Sequence, residues 1–543
     1  MREKGIKFAS LYRYALAIGA GLLLSVPWYD RGTGLVLFVG LLPVLHLVDV
    51  SLESGKKRLF SGFGILLLLV AVWATASGWW LKNATVAGIL FLIALDTVLY
   101  GVVLLLYKLV RMRLGRWMSY LALVVFWIAF EYIYLNAELS VPWINLGNGL
   151  SHNLRLIQWY SVTGTLGGTL WVLLVNILLY QALVDFRKFR NLNSGLLAAL
   201  LVVLVAPALL SLRMYGREEK AASTVTVLTV QPNVDPYEKF VSYSPAEQTA
   251  LLKELYTPYL KDKPDYILTP ETAITGYGDV DHLSTDPNVR EVEESIRELP
   301  GTRVILGMTL LKRYGPDEVP SPSAQQDRRG NFYDTYNSAV QINGCDLQTY
   351  HKSKLFPGVE TMPYANSLKF LRRLILNLGG TTRSHAVSAE RNNLTSCDGK
   401  DVVAPVICWE NIYGEFVGGF VRNGAGIIFN ITNEGWWGDT PGHKMFMRYA
   451  RLRAIETHRW VVRSANTGIS AFISPRGEVT QALSWDKKGV LIGQAGLYDD
   501  LTFYVKHGDY LGWVARLLST IMLGVLLVHG ITRRWSKRPS TKR

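Results

Sequence analysis

The sequence predicts an α/β domain lodged between the seventh and eighth helices of an eight-helix membrane bundle. Three observations predict it. Long apolar runs fill residues 1–213 and recur once at 510–531, the basic residues flanking those runs fall almost entirely on one side, and residues 223–505 alternate strand-like with helix-like segments. With 49% of its 543 residues apolar and 18% charged, the chain is neither disordered nor a small disulfide scaffold: 16 Trp, 27 Tyr and 19 Phe supply core, against 3 Cys. Its length predicts more than one domain. In a soluble protein the net charge of +14 would point to a nucleic-acid partner, so the position of those charges has to be settled first.

A helix crossing a hydrocarbon core of about 30 Å needs about 20 mostly apolar residues. Such runs lie at about 14–29, 33–49, 61–81, 86–107, 117–137, 162–184 and 195–212, within a membrane domain of 1–213, and an eighth lies at 510–531. The first follows a basic leader (Arg2, Lys4, Lys7), but no small-residue cleavage site comes after it, so it reads as an uncleaved helix. Eight crossings put segments 1–13, 51–59, 108–116, 185–194 and the tail 532–543 on one side, where they hold 20 Lys and Arg. The short loops opposite hold Arg31, Lys82 and Arg155. Basic loops mark the cytoplasmic side, so both termini are expected there and the 223–505 block outside. Those five segments carry a net +17, and the remainder of the chain −3. The excess charge is an orientation signal. The basic runs lack aromatic interleaving on a folded face, so no nucleic-acid partner is expected.

Within 223–505 the pattern opens with an alternating strand at 224–231, a helix at 245–262 and a buried strand at 265–270. A charged helix at 288–299 and a strand at 302–311 follow, then a Pro/Ser/Gln-rich loop at 314–330. Asn343-Gly344 predicts a hairpin between 335–342 and 347–352, since Asn-Gly tolerates the positive φ that tight turns require. A strand at 401–408, a helix at 411–422, a strand at 425–431 and a helix near 442–459 come next. Two strands around the turn Pro475-Arg476-Gly477-Glu478 close the block. Strands interleaved with helices predict a layered α/β fold.

Three side chains in this block carry possible chemistry. Cys408 ends an apolar strand and is followed at once by a helix, which exposes the thiol and favours thiolate at a helix N-terminus. Glu271 follows Pro270 at the end of strand 265–270, where α/β folds place functional groups. Lys352 lies at the end of another strand. Each has a blander reading: an inert core cysteine, a capping glutamate, a solvated lysine. Three cysteines in an oxidising compartment cannot all pair; whether Cys345 and Cys397 do is left open.

Taken together the three resemble the catalytic Glu, Lys and Cys of the nitrilase, or carbon–nitrogen hydrolase, superfamily, in the same chain order. The eight flanking spans resemble, more narrowly, the membrane-bound apolipoprotein N-acyltransferase family. Pro270-Glu271, Tyr350-x-Lys352 with Leu355, Pro357 and Glu360, Asn337-Ser338-Ala339 and Cys408-Trp409-Glu410 match its motifs, as do Thr432-Asn433, Trp436-Trp437-Gly438-Asp439-Thr440 and Asn466-Thr467-Gly468. Three positions depart from the pattern: Gly358 precedes Val359 where the family has Phe then Gly, Phe240 stands for a Trp, and Glu434 for an Asp.

The resemblance implies a nitrilase-like αββα sandwich with Glu271 as general base, Lys352 as oxyanion stabiliser and Cys408 as nucleophile, and neither cofactor nor metal. It makes Glu360, Glu410, Trp409 and Asn337 accessory residues and Phe240, Trp436, Trp437, Pro142 and Trp143 lipid- or substrate-facing. It implies transfer of an acyl chain from a membrane phospholipid, through a Cys thioester, to the N-terminal amine of a diacylated apolipoprotein, at the bacterial cytoplasmic membrane. The chemistry suits the residues: a thiol of pKa about 8.5 needs a base at neutral pH, and a thioester is open to attack by an amine. The rival readings are a membrane-tethered amidase or nitrilase and a non-catalytic lipid-binding protein. Leu368, Leu371, Leu374, Ile375 and Leu378, interleaved with Lys369, Arg372 and Arg373, suggest either an amphipathic lid over 364–379 or an ordinary packed helix. Glu131 and Asp96 are acids inside spans, the first either functional or interfacial, the second expected to pair within the bundle.

Overall fold

The computed structural model describes residues 2–53, 59–84, 86–217, 220–342, 347–357, 359–361 and 385–535. The expected lid at 364–379, the Asn343-Gly344 turn and Cys345 lie outside these residues.

Among the described residues, eight segments are long and apolar enough to cross a membrane: Ser10–Trp28, Gly34–Leu52, Phe63–Asn83, Val86–Arg113, Arg116–Asn136, Thr165–Phe189, Ser194–Tyr215 and Tyr510–Thr532. The second, weak in the sequence, is broken into Gly34–Val36, Leu37–Gly40 and Leu42–Glu53. Asn176 repairs that break from a neighbouring helix: its Oδ1 accepts from Leu41 N (2.9 Å) and its Nδ2 donates to Leu37 O (2.7 Å). An unmet backbone group in an apolar bundle would cost several kcal/mol. Glu131 is fully buried within the bundle; it accepts from Leu146 N (2.9 Å), Thr169 Oγ1 (2.6 Å) and Trp127 Nε1 (3.0 Å). Asp96 pairs within the bundle, accepting from the Tyr134 hydroxyl (3.2 Å).

The second half folds as two stacked sheets with helices outside. Its strands are β1 (Ser223–Gln231), β2 (Tyr266–Leu268), β3 (Ile274–Asp279), β4 (Arg303–Arg313), β5 (Gln325–Gln326), β6 (Phe332–Ile342) and β7 (Gln348–His351). They continue with β8 (Leu394–Thr395), β9 (Val402–Ile407), β10 (Ile427–Thr432), β11 (Val461–Ala465), β12 (Ser470–Ile473), β13 (Val479–Leu483) and β14 (Gly489–Leu497). One sheet runs β14-β1-β2-β4-β6-β5, with β3 also on β4 and β7 on β6; the other runs β13-β12-β11-β10-β9-β8. Period-two alternation distributes the side chains. Val225, Val227, Tyr266 and Leu268 face the second sheet, whereas Leu228, Val230 and Ile267 pack with Leu252, Val289 and Val292 of helices Pro245–Tyr256 and Pro287–Ser295. Helices Gly414–Arg422 and Pro441–Thr457 cover the second sheet.

Five strands escaped the sequence pattern: the two-residue β5 and β8, and three others for identifiable reasons. β14 pairs with all of β1, from Ser223↔Leu497 to Gln231↔Gly489, but Gly489, Gly493 and Gly496 erase its strand signature. β11 contains Arg463, which is fully buried and pairs with buried Glu434. β3 comes after a break in the strand begun by β2, both lying parallel to β4.

The two halves meet through an aromatic layer. Trp80 packs on Trp143 (4.6 Å between centroids) and on Trp437 (5.0 Å), and Phe446 touches Trp437 (4.3 Å), Trp143 (5.5 Å) and Trp409 (5.6 Å). Polar bonds lock it: Tyr449 Oη donates to Trp143 O (2.6 Å), Asn83 Nδ2 to Trp437 O (2.7 Å), and Tyr413 Oη to Ser140 O (3.0 Å). Helix Thr165–Phe189 starts on the buried carboxylate of Glu456, which accepts from Thr165 N (3.1 Å), a favourable charge at that end of a helix. Phe446→Ala should destabilise the whole chain by about 3–5 kcal/mol. A thermal unfolding midpoint in detergent equal to the parent's would refute this role for the layer.

Candidate active site

The break between β2 and β3 carries Glu271. Pro270 ends the pairing, Thr272 takes φ +45°, and β4 must supply Gly307, where a Cβ would stand 2.0 Å from Pro270 O. Glu271 is thereby turned inward with 6% exposure. Its Oε1 accepts from Lys352 Nζ (2.8 Å) and Asn337 Nδ2 (2.7 Å), and its Oε2 from Asn433 N (3.0 Å).

Lys352 lies just past β7, and its N–H donates to Asn337 O (2.8 Å), continuing the ladder with β6 by one rung. Its ammonium is buried and lies 2.8 Å from Glu271 and 2.8 Å from Glu360. Burial alone would pull the ammonium down, but the charges of Glu271 and Glu360 outweigh it and hold Lys352 well above its ordinary value. Burial pushes Glu360 up, and the adjacent ammonium more than reverses this, leaving it below the ordinary carboxylate range. Glu360 is fixed further by Asn337 Nδ2 (3.2 Å) and Phe356 N (2.8 Å).

Cys408 stands just beyond β9 with φ +47°, a conformation rare outside glycine and the kind of strain that collects at functional positions. It is a free, half-buried thiol, whereas Cys397 is disulfide-bonded. The thiolate expected from a helix N-terminus is not the resting form. Burial, then the negative charge of Glu271, push the thiol well up; Lys352 and the Thr432 side chain pull the other way and lose. A short 3₁₀ turn, Cys408–Ile412, follows Cys408 directly, and the helix expected at 411–422 begins only at Gly414, so the cysteine does not sit on its first turn.

The two accessory glutamates separate. Glu360 touches Lys352; Glu410 does not. The Glu410 carboxylate accepts from Tyr350 Oη (2.6 Å), Ser353 N (2.6 Å), Lys354 N (3.3 Å) and Ile407 N (2.8 Å). It thus ties the lysine segment to the cysteine strand. Burial raises it to about 7 despite those donors. Trp409 is buried against Phe356 (4.4 Å) and Phe446, and Asn337 bridges both acids of the lysine.

Of the residues expected to face lipid, Phe240 is exposed and its ring stacks on half-buried Trp436 (6.4 Å, 28°). Trp437 and Trp143 are instead buried in the aromatic layer between the halves, and Pro142, next to Trp143, is buried too. Beside Glu360 a cleft of about 930 Å³ opens, lined by Tyr277, Arg313, Tyr314, Phe332 and His385 among others. Sequence reasoning missed the backbone donors Phe356 N and Asn433 N, which only the folded loops bring to the acids.

A strained cysteine, a buried carboxylate and a buried ammonium in one site form the set an enzyme needs for covalent acyl chemistry. The chain belongs to the carbon–nitrogen hydrolase family, whose model matches residues 225–497. A second model, that of the apolipoprotein N-acyltransferase N-terminal domain, matches residues 20–178. The chain is 28% identical to the apolipoprotein N-acyltransferase of Chlorobaculum tepidum, covering 97% of this chain and 97% of that one. It is 25% identical to the enzyme of that name from Geobacter metallireducens (92% of each) and 28% identical to that of Agrobacterium fabrum (94% and 95%).

Removing the ammonium by Lys352→Met should leave buried Glu271 and half-buried Glu360 without a cation and cost about 3–5 kcal/mol at neutral pH. The loss should shrink toward pH 5, where a carboxyl can take up a proton in its place. A penalty in thermal stability that does not change between pH 8 and pH 5 would contradict this electrostatic account.

Proposed function

We propose that this chain is an N-acyltransferase that moves a fatty acyl chain from a membrane phospholipid to the N-terminal amine of the diacylglyceryl-cysteine of an apolipoprotein. In this reading residues 1–213 and 510–531 form the membrane domain and 223–505 the catalytic domain outside the bacterial cytoplasmic membrane, with both termini, and the basic tail 532–543, cytoplasmic. The 20-to-three asymmetry of Lys and Arg supports that orientation.

The observation that carries the reading is the seat of the site on the apolar bundle. Trp409, next to Cys408, packs on Phe446 and donates to Tyr413 Oη (3.0 Å), which in turn donates to Ser140 O (3.0 Å). The thiol therefore sits a few side chains from helices built to lie in lipid, where an enzyme for small soluble amides would gain nothing.

Glu271 takes the proton from Cys408 Sγ as sulfur attacks the ester carbonyl of the phospholipid. Lys352 faces the oxyanion, and the tetrahedral adduct collapses by breaking the C–O bond. Glu271 returns the proton to the departing lysophospholipid alkoxide, leaving a thioester. The amine of the acceptor then attacks, Glu271 accepts its proton, the C–S bond breaks, and Glu271 passes the proton to the departing sulfur to give the amide and the thiol. Because Cys408 rests protonated, the base is obligatory. Glu360 keeps Lys352 charged and in place, and Glu410 holds the lysine and cysteine segments in register.

Intact-protein mass spectrometry after incubation with phospholipid should show one added acyl chain on Cys408 and none on Cys408→Ser. Glu271→Gln should slow its appearance by about 10²–10⁴-fold. On addition of a diacylated lipopeptide the chain should move to the peptide amine. Free fatty acid as the sole product would favour a hydrolase and overturn the transferase reading.

A further inference from the structure

A second buried lysine lies against the backbone of Glu271. Lys239, in the turn Glu238–Phe240, is 1% exposed. Its Nζ donates to Glu271 O (3.0 Å) and to Thr272 Oγ1 (3.0 Å), both neutral oxygens. Its own carbonyl accepts from Gln248 Nε2 (2.8 Å), and Gln248 Oε1 accepts from Thr275 N (2.8 Å). The Lys239 turn, helix Pro245–Tyr256 and the backbone at 271–275 are thus one hydrogen-bonded unit.

An amine buried without a directly paired carboxylate is costly. Burial brings Lys239 down to about 7, with the charge of Glu271 opposing. The two bonds hold the segment on which Glu271 is mounted. Thr272 is β-branched and at φ +45°, a strain of about 1–3 kcal/mol that persists only where the surroundings impose it. Gly307 presses on the same peptide from β4, and Lys239 grips it through the Glu271 carbonyl and the Thr272 hydroxyl.

We propose that Lys239 is a positioning residue for the acyl transfer: it clamps the Glu271–Thr272 turn so that the carboxylate stays directed at Lys352, Asn337 and the Cys408 thiol. The inference rests on the reading of Glu271 as the base for Cys408. The same turn carries Phe240, whose ring lies on Trp436. The open aromatic edge of the site is therefore linked to the base by adjacent residues of one chain segment.

The test uses the full chain in detergent, with Lys239→Met, Thr272→Val and the double variant. Two rates are measured: alkylation of Cys408 by iodoacetamide, which needs the base but no lipid, and acyl-enzyme formation from phospholipid. Lys239→Met should lower both by about 10²-fold, the effect of a catalytic group displaced by an ångström, with the phospholipid KM unchanged. Thr272→Val should lower them less, and the double variant no further than Lys239→Met alone, because one clamp is lost in both. Parent-like alkylation in Lys239→Met, or additive losses in the double variant, overturns the proposal. If Lys239→Met does not fold, Thr272→Val decides, and a parent-like alkylation rate in it is likewise fatal. Parent protein that alkylates but never takes an acyl chain defeats the phospholipid reading instead, while alkylation still tests the clamp.

Discussion

The Lys352 ammonium neutralises two acids at once, and the catalytic half is organised around that fact. Buried Glu271 and half-buried Glu360 both lie 2.8 Å from it, and its charge offsets the repulsion between them. Each of the three is delivered by a different piece of the fold: a break between two short strands, a strand end continued by one extra rung, and a loop pinned by Phe356 N. Because the ammonium is committed to the two carboxylates, little of its charge remains for the thiol. Burial and Glu271 prevail, and the sulfur rests protonated.

Backbone strain brackets this arrangement. Cys408 and Thr272 both occupy the left-handed region, one after β9 and the other in the break between β2 and β3, next to Glu271. Neighbours hold each against relaxation. Glu410 bonds to Ile407 N just ahead of the cysteine, and Lys239 grips the peptide behind the glutamate. The aromatic layer adds a third restraint by seating Trp409 on Phe446, and through it on Trp143 and Trp80 of the membrane half. A catalytic group fixed within a fraction of an ångström is worth orders of magnitude in rate, which is a physical reason to bolt the domain to its bundle and not tether it by a flexible linker.

Much of this was legible in the residues. Among the described residues, the apolar runs lie within a few residues of helical segments long and apolar enough to cross a membrane. Glu271, Lys352 and Cys408 each stood at the end of a readable strand, and the structure brings the three together. Other features were hidden where composition and environment disagree. β14 is built on glycines, β11 buries an arginine, and Glu131, open in the sequence between a functional and an interfacial role, is held within the bundle by three donors. Trp437 and Trp143 looked like lipid contacts, since a large ring serves equally to greet lipid or to fill a joint.

By itself, then, the sequence determined which segments are fit to cross a membrane, how the basic residues divide between the two sets of loops, and which three side chains match the motif of the carbon–nitrogen hydrolases, because hydropathy, charge asymmetry and motif spacing are properties of neighbours along the chain. Only the tertiary structure decided what those side chains do to one another. Which glutamate touches Lys352, whether Cys408 rests as thiol or thiolate, and that Lys239 reaches the backbone of Glu271 all depend on distances between segments remote in sequence. Electrostatic and hydrogen-bond energies fall steeply with such distances and rise with burial, and neither quantity is written in the order of the residues.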